Sequence, residues 1–145
     1  MSELSQGFHH QRIVRFGECD PAGVTYYPVY FDWFHQAMEA CFEERLQTPY
    51  AEMIETVGFP AVHTSASFRK PLPVGEHITL VVTVAEMGKS SIVWCFHVLN
   101  RAGEVATVGE VKTVCIAVGT EGFQFAAVPI PEAVRVGLTP IIESH

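Results

Sequence analysis

The sequence has no closely spaced cysteines, no long apolar run and few basic side chains. Its four cysteines, Cys19, Cys41, Cys95 and Cys115, lie far apart with no CxxC pair. We therefore expect buried free thiols and neither disulfides nor a cysteine-bound metal. No apolar stretch approaches the ~20 residues of a membrane span. The first ten residues, MSELSQGFHH, lack the basic and apolar regions of a signal peptide, so we expect a cytoplasmic protein.

Basic residues are scarce: nine Lys and Arg face sixteen Asp and Glu, which gives a formal charge of -7. This balance argues against nucleic acid as a partner, because a phosphate backbone requires a basic surface. It leaves room for one small phosphorylated ligand held at local basic points. The GxSxG motif of serine hydrolases and the HExxH motif of zinc enzymes are also absent. We expect no metal, and we interpret His35 and Glu39, four apart on one helix face, as a surface pair.

The 145 residues, 16.0 kDa, fit one domain spanning residues 1–145. The hydrophobic share of 48% and the mean hydropathy of +0.21 are high for a chain of this size. Part of this apolar surface is expected at a subunit interface, so we predict a homodimer or a homotetramer.

A helical period in the first half of the chain gives way to strand alternation in the second. The pattern predicts a long helix over Pro28–Gln47 and a shorter one over Tyr50–Val57, followed by Gly58 and Pro60. Apolar residues recur in the long helix at steps of three and four. These are Tyr30, Trp33, Phe34, Ala37, Met38, Cys41 and Phe42.

Alternating residues predict five or six strands. The intervals are His10–Phe16, Ala61–Phe68, His77–Glu86, Ser91–Asn100, Glu104–Val118 and Phe123–Val128, with a brief helical stretch after Pro131. One face of the third and fourth strands is apolar, through Ile78, Leu80, Val82 and Val84 and through Ile92, Trp94, Phe96 and Val98. The fold class is therefore α+β, with an antiparallel sheet wrapped around one long helix.

The segment Arg12–Phe34 carries the candidate chemistry. Asp20 precedes a Pro-Ala-Gly turn, and Pro28 follows at a position suited to the first turn of a helix. An acid beside a helix N-terminus can attack a carbonyl that free backbone N–H groups polarise. Asp20 could equally be only a turn former or a helix N-cap. Nearby Glu18 could be a second acid, but we interpret it as a charge at a strand end.

The stretch RFGECDPAGVTYYPVY within Gln11–Tyr30 resembles the active-site signature of the 4-hydroxybenzoyl-CoA thioesterase family. The order of later elements resembles the same family, over residues 9–120. The resemblance implies a hotdog fold, dimers that share one continuous sheet, and hydrolysis of acyl-CoA thioesters without a metal or other cofactor. Coenzyme A then enters only as part of the substrate.

The resemblance also assigns roles. Asp20 matches the catalytic aspartate, and the backbone amide of Tyr27 matches the group that polarises the thioester carbonyl. Asp20 would attack directly or deprotonate a water molecule, and the sequence does not separate these routes. The positions expected to bind substrate are Gly23, Tyr30, His63, Thr64, Arg69, Lys70, Lys89, Ser90 and Ser91, with Lys89 favoured for the nucleotide.

Two departures from the family pattern concern the acyl group. Thr25 replaces an aliphatic residue and Val29 replaces an asparagine. Aromatic acyl groups such as 4-hydroxybenzoyl and short aliphatic groups both stay open, although the tyrosines near the turn favour an aromatic one. The principal alternative is a non-catalytic protein on the same fold that binds acyl-CoA or an acyl carrier. A hotdog hydratase is a weaker third, since Asp32 and His35 do not have the spacing of that pattern.

Overall fold

The computed structural model describes residues 3–144 and contains two antiparallel sheets and one long helix. The helices are α1 (Glu3–Gln6), α2 (Val29–Arg45), α3 (Tyr50–Met53) and α4 (Glu132–Leu138). The strands are β1 (Phe8–Ile13), β2 (Val57–Gly58), β3 (Ala61–Phe68), β4 (His77–Met87), β5 (Ser91–Leu99), β6 (Val105–Val114), β7 (Ile116–Gly119) and β8 (Gly122–Ala127). Short 3-10 turns occur at Phe16–Glu18 and Thr139–Ile141.

The larger sheet has five strands in the order β1-β4-β5-β6-β3, and the smaller has the order β2-β7-β8. All the paired strands are antiparallel. The expected α+β fold, an antiparallel sheet of five strands with one long helix, is confirmed. None of the helices within residues 3–144 is long and apolar enough to cross a membrane.

Helix α2 packs against the large sheet through its predicted apolar face. All seven positions of that face are buried, and so are the eight predicted inward positions of β4 and β5. The Phe34 ring stacks on Phe96 with 4.9 Å between ring centroids. Gly109 on β6 leaves the space that Phe34 fills, because a Cβ atom there would overlap its ring.

The first strand lies earlier than predicted, at Phe8–Ile13 in place of His10–Phe16. Its last strand pair is Ile13 with His77, the first residue of β4. One residue further, Val14 still donates to Glu76 (2.9 Å) and accepts from Gly75 (2.8 Å), before the chain turns away. The 3-10 turn Phe16–Glu18 follows and starts the loop that carries Asp20.

The predicted strand Glu104–Val118 is also divided. At Cys115 the backbone N–H donates to the Ser90 carbonyl (2.7 Å) and the carbonyl accepts from Val128 (2.9 Å). The chain thereby leaves the large sheet as β6 and enters the small sheet as β7. The second predicted helix ends at Met53, because Val57 and Gly58 pair with β7 instead.

Strand β3 is an uncovered edge of the large sheet. Every residue from Ala61 to Phe68 is exposed except Ala66, which is half-buried. Strand β3 bonds to β6 on one side only within this chain. A row of unpaired backbone groups is therefore available for pairing with another chain.

Candidate active site

Asp20 is the first residue of a four-residue turn, 20–23, that precedes α2. Its backbone N–H donates to Val24 (2.9 Å), and its carbonyl accepts from Gly23 (2.9 Å). The carboxylate Oδ1 accepts from the Ala22 N–H (2.9 Å), which fixes the side chain over the turn. Among the described residues Oδ2 has no hydrogen-bond partner, so one carboxylate oxygen is free to act on a ligand.

The turn requires a glycine and is tied to the loop before β4. Gly23 has a φ of 82°, a left-handed conformation that non-glycine residues rarely adopt. Its carbonyl accepts from the Val74 N–H (3.0 Å). Two residues on, the N–H and the hydroxyl of buried Thr25 both donate to the Leu72 carbonyl, at 2.9 and 2.8 Å. Thr25 thus gives this position a polar anchor that an aliphatic residue could not supply.

Tyr27 lies at the start of α2 and presents a free backbone donor. Its N–H donates to no acceptor within the part of the chain that the structure describes, whereas its carbonyl accepts from Tyr30 (3.2 Å). The next residue, Pro28, is the N-cap and has no N–H. The Tyr27 amide is therefore a donor at the positive end of the helix dipole.

Glu18 holds the Asp20 loop against β1 and α2. Its carboxylate accepts two short hydrogen bonds from Arg12 (2.7 and 2.6 Å), one from Trp33 Nε1 (2.8 Å) and one from the Arg15 N–H (2.8 Å). The Arg12 guanidinium lies over the Trp33 ring, 4.7 Å from its centroid. The Glu18 carbonyl also accepts from the Tyr26 N–H (2.9 Å), directly before Tyr27.

The interpretation of Glu18 as a charge at a strand end was therefore wrong. It is a structural anchor that joins the Asp20 loop to the helix start. Burial raises its pKa, but the hydrogen bonds from Trp33 and Arg15 and the charge of Arg12 outweigh burial, so the net pKa is lowered. Glu18 is thus held as a carboxylate. The sequence could have indicated it only through Trp33, fifteen residues away, as a buried donor that needs an acceptor.

Cys19, the neighbour of Asp20, does not compete with it as a nucleophile. Burial, and then the charges of Asp20 and Glu18, raise the pKa of the Cys19 thiol. A thiol with a raised pKa stays protonated at neutral pH and is a weak nucleophile. The prediction of free cysteines is confirmed, although only Cys41 and Cys115 are fully buried. His35 and Glu39 form the expected exposed pair, at 3.6 Å.

A cleft of about 480 Å³ lies beside the helix start and holds four of the predicted site residues. Its aromatic wall consists of Tyr27, Tyr30 and Phe68. The Phe68 ring meets Tyr30 edge to face at 5.1 Å between centroids and Tyr27 at 6.4 Å. Arg69 and Lys70 line the same cleft, but Lys70 is paired with Glu104 at 2.6 Å.

Asp20 opens into a neighbouring cleft of about 440 Å³, which it shares with Gly23, Phe16 and Val74. Val24 lines the cleft beside the helix start, called the Tyr27 cleft below, and its carbonyl accepts from the Asp20 N–H. The two clefts therefore meet at the Asp20 turn. Burial raises the pKa of the Tyr30 phenol.

Thr64 and His63 lie on opposite faces of β3. Thr64 lines an apolar cavity of about 330 Å³ between α2 and the sheet, together with Phe31, Phe34 and His35. Successive strand residues point to opposite faces, so His63, which pairs with Lys112, faces away from the helix. The structure thus brings Thr64 toward the helix and leaves His63 on the outer surface.

Lys89, Ser90 and Ser91 lie at the far end of the sheet from Asp20. The Asp20 turn contacts Val74, just before β4, whereas Lys89 follows the end of this eleven-residue strand. Eleven strand residues span roughly 35 Å. The turn between β4 and β5, which contains Lys89, is held by Arg135, whose guanidinium donates to the Gly88 carbonyl at 2.8 Å. These three residues therefore cannot share a site with Asp20 of the same chain.

The fold and the Asp20 turn define a hotdog thioesterase domain. The model of the Thioesterase-like superfamily matches residues 14–138, and the chain belongs to this family.

Two curated relatives and one solved structure show which proteins the chain is similar to. The chain is 30% identical to the 1,4-dihydroxy-2-naphthoyl-CoA hydrolase of Prochlorococcus marinus (strain MIT 9303) over 89 residues, 56% of this chain and 59% of that protein. It is 26% identical over 134 residues to the 4-hydroxybenzoyl-CoA thioesterase of Pseudomonas sp. (strain CBS-3), covering 88% and 94% of the two chains. A solved gentisyl-coenzyme A thioesterase superposes with a TM-score of 0.78 at 30% identity, covering 88% and 99%.

Proposed function

We propose that this protein is an acyl-CoA thioesterase that hydrolyses an aromatic acyl-CoA to the free acid and coenzyme A. The observation that carries the proposal is that Asp20 Oδ2 and the Tyr27 N–H, seven residues apart in one loop, both lack a hydrogen-bond partner among the described residues. Relatives named for 4-hydroxybenzoyl-, 1,4-dihydroxy-2-naphthoyl- and gentisyl-CoA support an aromatic acyl group.

The Tyr27 N–H polarises the thioester carbonyl in this mechanism. As a nucleophile adds to the carbonyl carbon, negative charge develops on the oxygen, and the amide stabilises it without reorganising. The helix dipole acts in the same direction. Pro28 ensures that the amide before it is the terminal donor, because proline has none.

Asp20 supplies the nucleophile or the base. In the general-base route Oδ2 takes a proton from water, the hydroxide adds to the carbonyl, and the C–S bond breaks as the thiolate leaves and is protonated. In the covalent route Oδ2 adds directly, the thiolate leaves, and water hydrolyses the resulting anhydride. The hydrogen bond from Ala22 occupies Oδ1 in both routes, which leaves Oδ2 as the reacting atom.

The aromatic acyl group lies in the Tyr27 cleft. Edge-to-face contacts already hold Tyr27, Tyr30 and Phe68 around this space, and a substrate ring would add to them. Arg69 shares the cleft and has no salt-bridge partner in the described part of the chain, so it is available for a phosphate or carboxylate.

A homodimer would complete the site. In β3 the Phe68 end lies beside the Tyr27 cleft, and the Ala61 end lies toward the Lys89 end of the sheet. Antiparallel pairing of two β3 edges about a two-fold axis would place the Ala61 end of one chain beside the Phe68 end of the other. Lys89, Ser90 and Ser91 of the partner subunit would then approach the substrate nucleotide. Light scattering should give at least twice 16.0 kDa, and a monomer would contradict this arrangement.

The test is thiol release from 4-hydroxybenzoyl-, benzoyl-, hexanoyl- and acetyl-CoA by wild type, Asp20→Asn and Asp32→Asn. Asp32 is an exposed acid in the first turn of α2, and within residues 3–144 its side chain accepts only from Gln36 (2.7 Å). It therefore controls for loss of charge near the helix start. We expect Asp20→Asn to lower kcat at least about a hundredfold and Asp32→Asn to change it little.

Equal turnover by wild type and Asp20→Asn would make Asp20 a turn former and refute the mechanism. Binding of CoA without turnover of any thioester would favour the non-catalytic binding protein. A preference for hexanoyl- or acetyl-CoA over both aromatic thioesters would contradict the assigned acyl class.

A further inference from the structure

The apolar cavity of about 330 Å³ between α2 and β3 is lined by one ionisable side chain, His35. Its other lining residues are apolar except for Thr64 and Thr113. Both hydroxyls already form hydrogen bonds: Thr64 donates to the Glu110 carbonyl (3.2 Å), and Thr113 accepts from Trp94 Nε1 (3.0 Å). His35 is therefore the side chain best able to recognise a polar group in this cavity.

His35 keeps one ring nitrogen available. Its Nε2 lies 3.6 Å from a carboxylate oxygen of Glu39, and its ring meets Tyr50 edge to face with 5.7 Å between ring centroids. In the described part of the chain Nδ1 has no hydrogen-bond partner. In the neutral ring one nitrogen carries the proton and the other accepts. With the proton on Nε2, toward Glu39, Nδ1 is an acceptor for a hydroxyl group.

The Tyr27 cleft is incomplete within one chain. Tyr27 and Phe68 form its aromatic wall, yet Tyr27 is 61% exposed and Phe68 48% exposed. Phe68 is also the last residue of β3, the uncovered edge of the large sheet. A second chain that pairs with β3 would therefore close the open side of the cleft.

The pleat of β3 restricts how two copies can pair. Directly opposed residues of an antiparallel pair share one face of the sheet, and Thr64 and Phe68 both lie on the helix face. The two-fold axis therefore passes through a residue near the middle of the strand, at Thr64 or Ser65. Phe68 then lies opposite Pro60 or Val62 of the partner subunit. Pro60 lines the cavity of its own chain, so the partner's cavity begins one strand spacing, roughly 5 Å, from Phe68.

We propose that His35 of the partner subunit binds a hydroxyl group at the far end of the aromatic acyl group. The inference rests on the proposed thioesterase function and on the homodimer, and it adds the residue that selects the acyl group. The Tyr27 N–H holds the thioester carbonyl, the ring lies along Phe68, and its distal hydroxyl donates to Nδ1 in the partner's cavity. An acyl group without the hydroxyl leaves this nitrogen unpaired in apolar surroundings, and the site discriminates against it.

The first test compares 4-hydroxybenzoyl-CoA with benzoyl-CoA, which differ only in that hydroxyl. Wild type, His35→Ala and His77→Ala are assayed with both esters. His77 is the matched control, an exposed histidine at the first residue of β4. We expect wild type to prefer the hydroxylated ester about tenfold in kcat/KM, the contribution of one buried hydrogen bond.

His35→Ala should lose this preference through a fall in kcat/KM with 4-hydroxybenzoyl-CoA alone, and His77→Ala should keep it. Equal use of both esters by wild type would overturn the inference. So would an equal loss with both esters in His35→Ala, which indicates a structural role.

A mixed dimer tests whether His35 acts across the interface. One chain carries Asp20→Asn and the other His35→Ala, each with its own affinity tag, and the mixed species is purified after co-expression. At one of its two sites the intact Asp20 meets the intact His35 of the other chain, so we expect about half of the wild-type kcat/KM with 4-hydroxybenzoyl-CoA. A value no higher than that of the His35→Ala homodimer would refute the contact, and so would a monomeric protein.

If wild type hydrolyses neither ester, the thioesterase proposal fails while the contact can still be tested. Calorimetry then measures binding of the two intact esters to wild type and to His35→Ala. Tighter binding of 4-hydroxybenzoyl-CoA than of benzoyl-CoA, lost in His35→Ala, supports the contact. Equal binding of the two esters by wild type, or no binding, refutes it.

Discussion

The anchor at Glu18 leads to a quantitative prediction for the variant Glu18→Gln. Glutamine has nearly the same shape but carries no charge and has one acceptor oxygen instead of two. The carboxylate now serves Arg12, Trp33 and the Arg15 N–H, and the Arg12 and Glu18 side chains are only 15% and 19% exposed. The amide NH₂ of glutamine would have to face one of these donors.

The expected loss follows from the type of bond that is replaced. Hydrogen bonds to charged groups contribute about 1.5–3 kcal/mol and neutral ones about 0.5–1.5 kcal/mol. One charged pair is weakened and one donor loses its acceptor, so we expect a loss of about 2 kcal/mol in the free energy of unfolding. In a chain of this size that corresponds to a fall in Tm of roughly 4–8 °C.

The matched control is Glu104→Gln. The Lys70–Glu104 pair has the same 2.6 Å distance as Arg12–Glu18, but its side chains are 47% and 51% exposed. An exposed pair contributes little because water screens it, so Glu104→Gln should leave the urea midpoint almost unchanged. If both variants lost equal stability, the contribution of each ion pair would depend on its distance and not on its burial. The assignment of Glu18 as an anchor would then be refuted.

The pH dependence provides a second check on Glu18. Its folded pKa is lowered, so its stabilisation is present above the unfolded carboxyl pKa of about 4.3 and is lost as the pH falls through the folded value. The difference in stability between wild type and Glu18→Gln should therefore be full at pH 7 and shrink below about pH 4. A difference that stayed constant down to pH 2.5 would contradict the charge argument.

Two further predictions concern the core. Gly109→Ala should destabilise the protein by about 1–3 kcal/mol in urea unfolding, because its Cβ would overlap the Phe34 ring, while Gly17→Ala, which has open space, should be nearly neutral. Burial raises the pKa of the Cys41 thiol to about 12, so at pH 8 a thiol reagent should label half-buried Cys19 before Cys41, and equal labelling rates in the native protein would contradict the burial of α2.

Local patterns were sufficient to predict most elements of this fold. The seven apolar positions of α2 all lie in the core, since the 3.6-residue period fixes which side chains share a helix face. The alternation in β4 and β5 correctly predicted their buried faces, because successive strand residues point to opposite sides of the sheet. Element ends were less predictable. Strand β1 stops at Ile13 because its partner β4 begins at His77, a limit that the sequence of β1 does not carry.

The candidate site shows the same division between local and tertiary information. The Asp20 turn and the helix start at Pro28 are neighbours along the chain, so their sequence predicted a turn leading into a helix, as found. The role of Glu18 depends on Arg12 and Trp33, which converge only when β1 packs against α2.

The predicted nucleotide contact at Lys89 illustrates how topology limits what a short motif can predict. The resemblance to the thioesterase family favoured Lys89, which follows Gly88 after β4, for the nucleotide. The antiparallel order places that turn at the opposite end of the sheet from Asp20, so within one chain Lys89 is excluded by the length of β4. If the partner's Lys89 contacts the nucleotide in the homodimer, Lys89→Gln should raise the KM for the CoA ester about tenfold, the loss of one charged hydrogen bond. The same change should leave kcat/KM for the matching pantetheine ester, which carries no nucleotide, unchanged, and an unchanged KM for the CoA ester would contradict the contact.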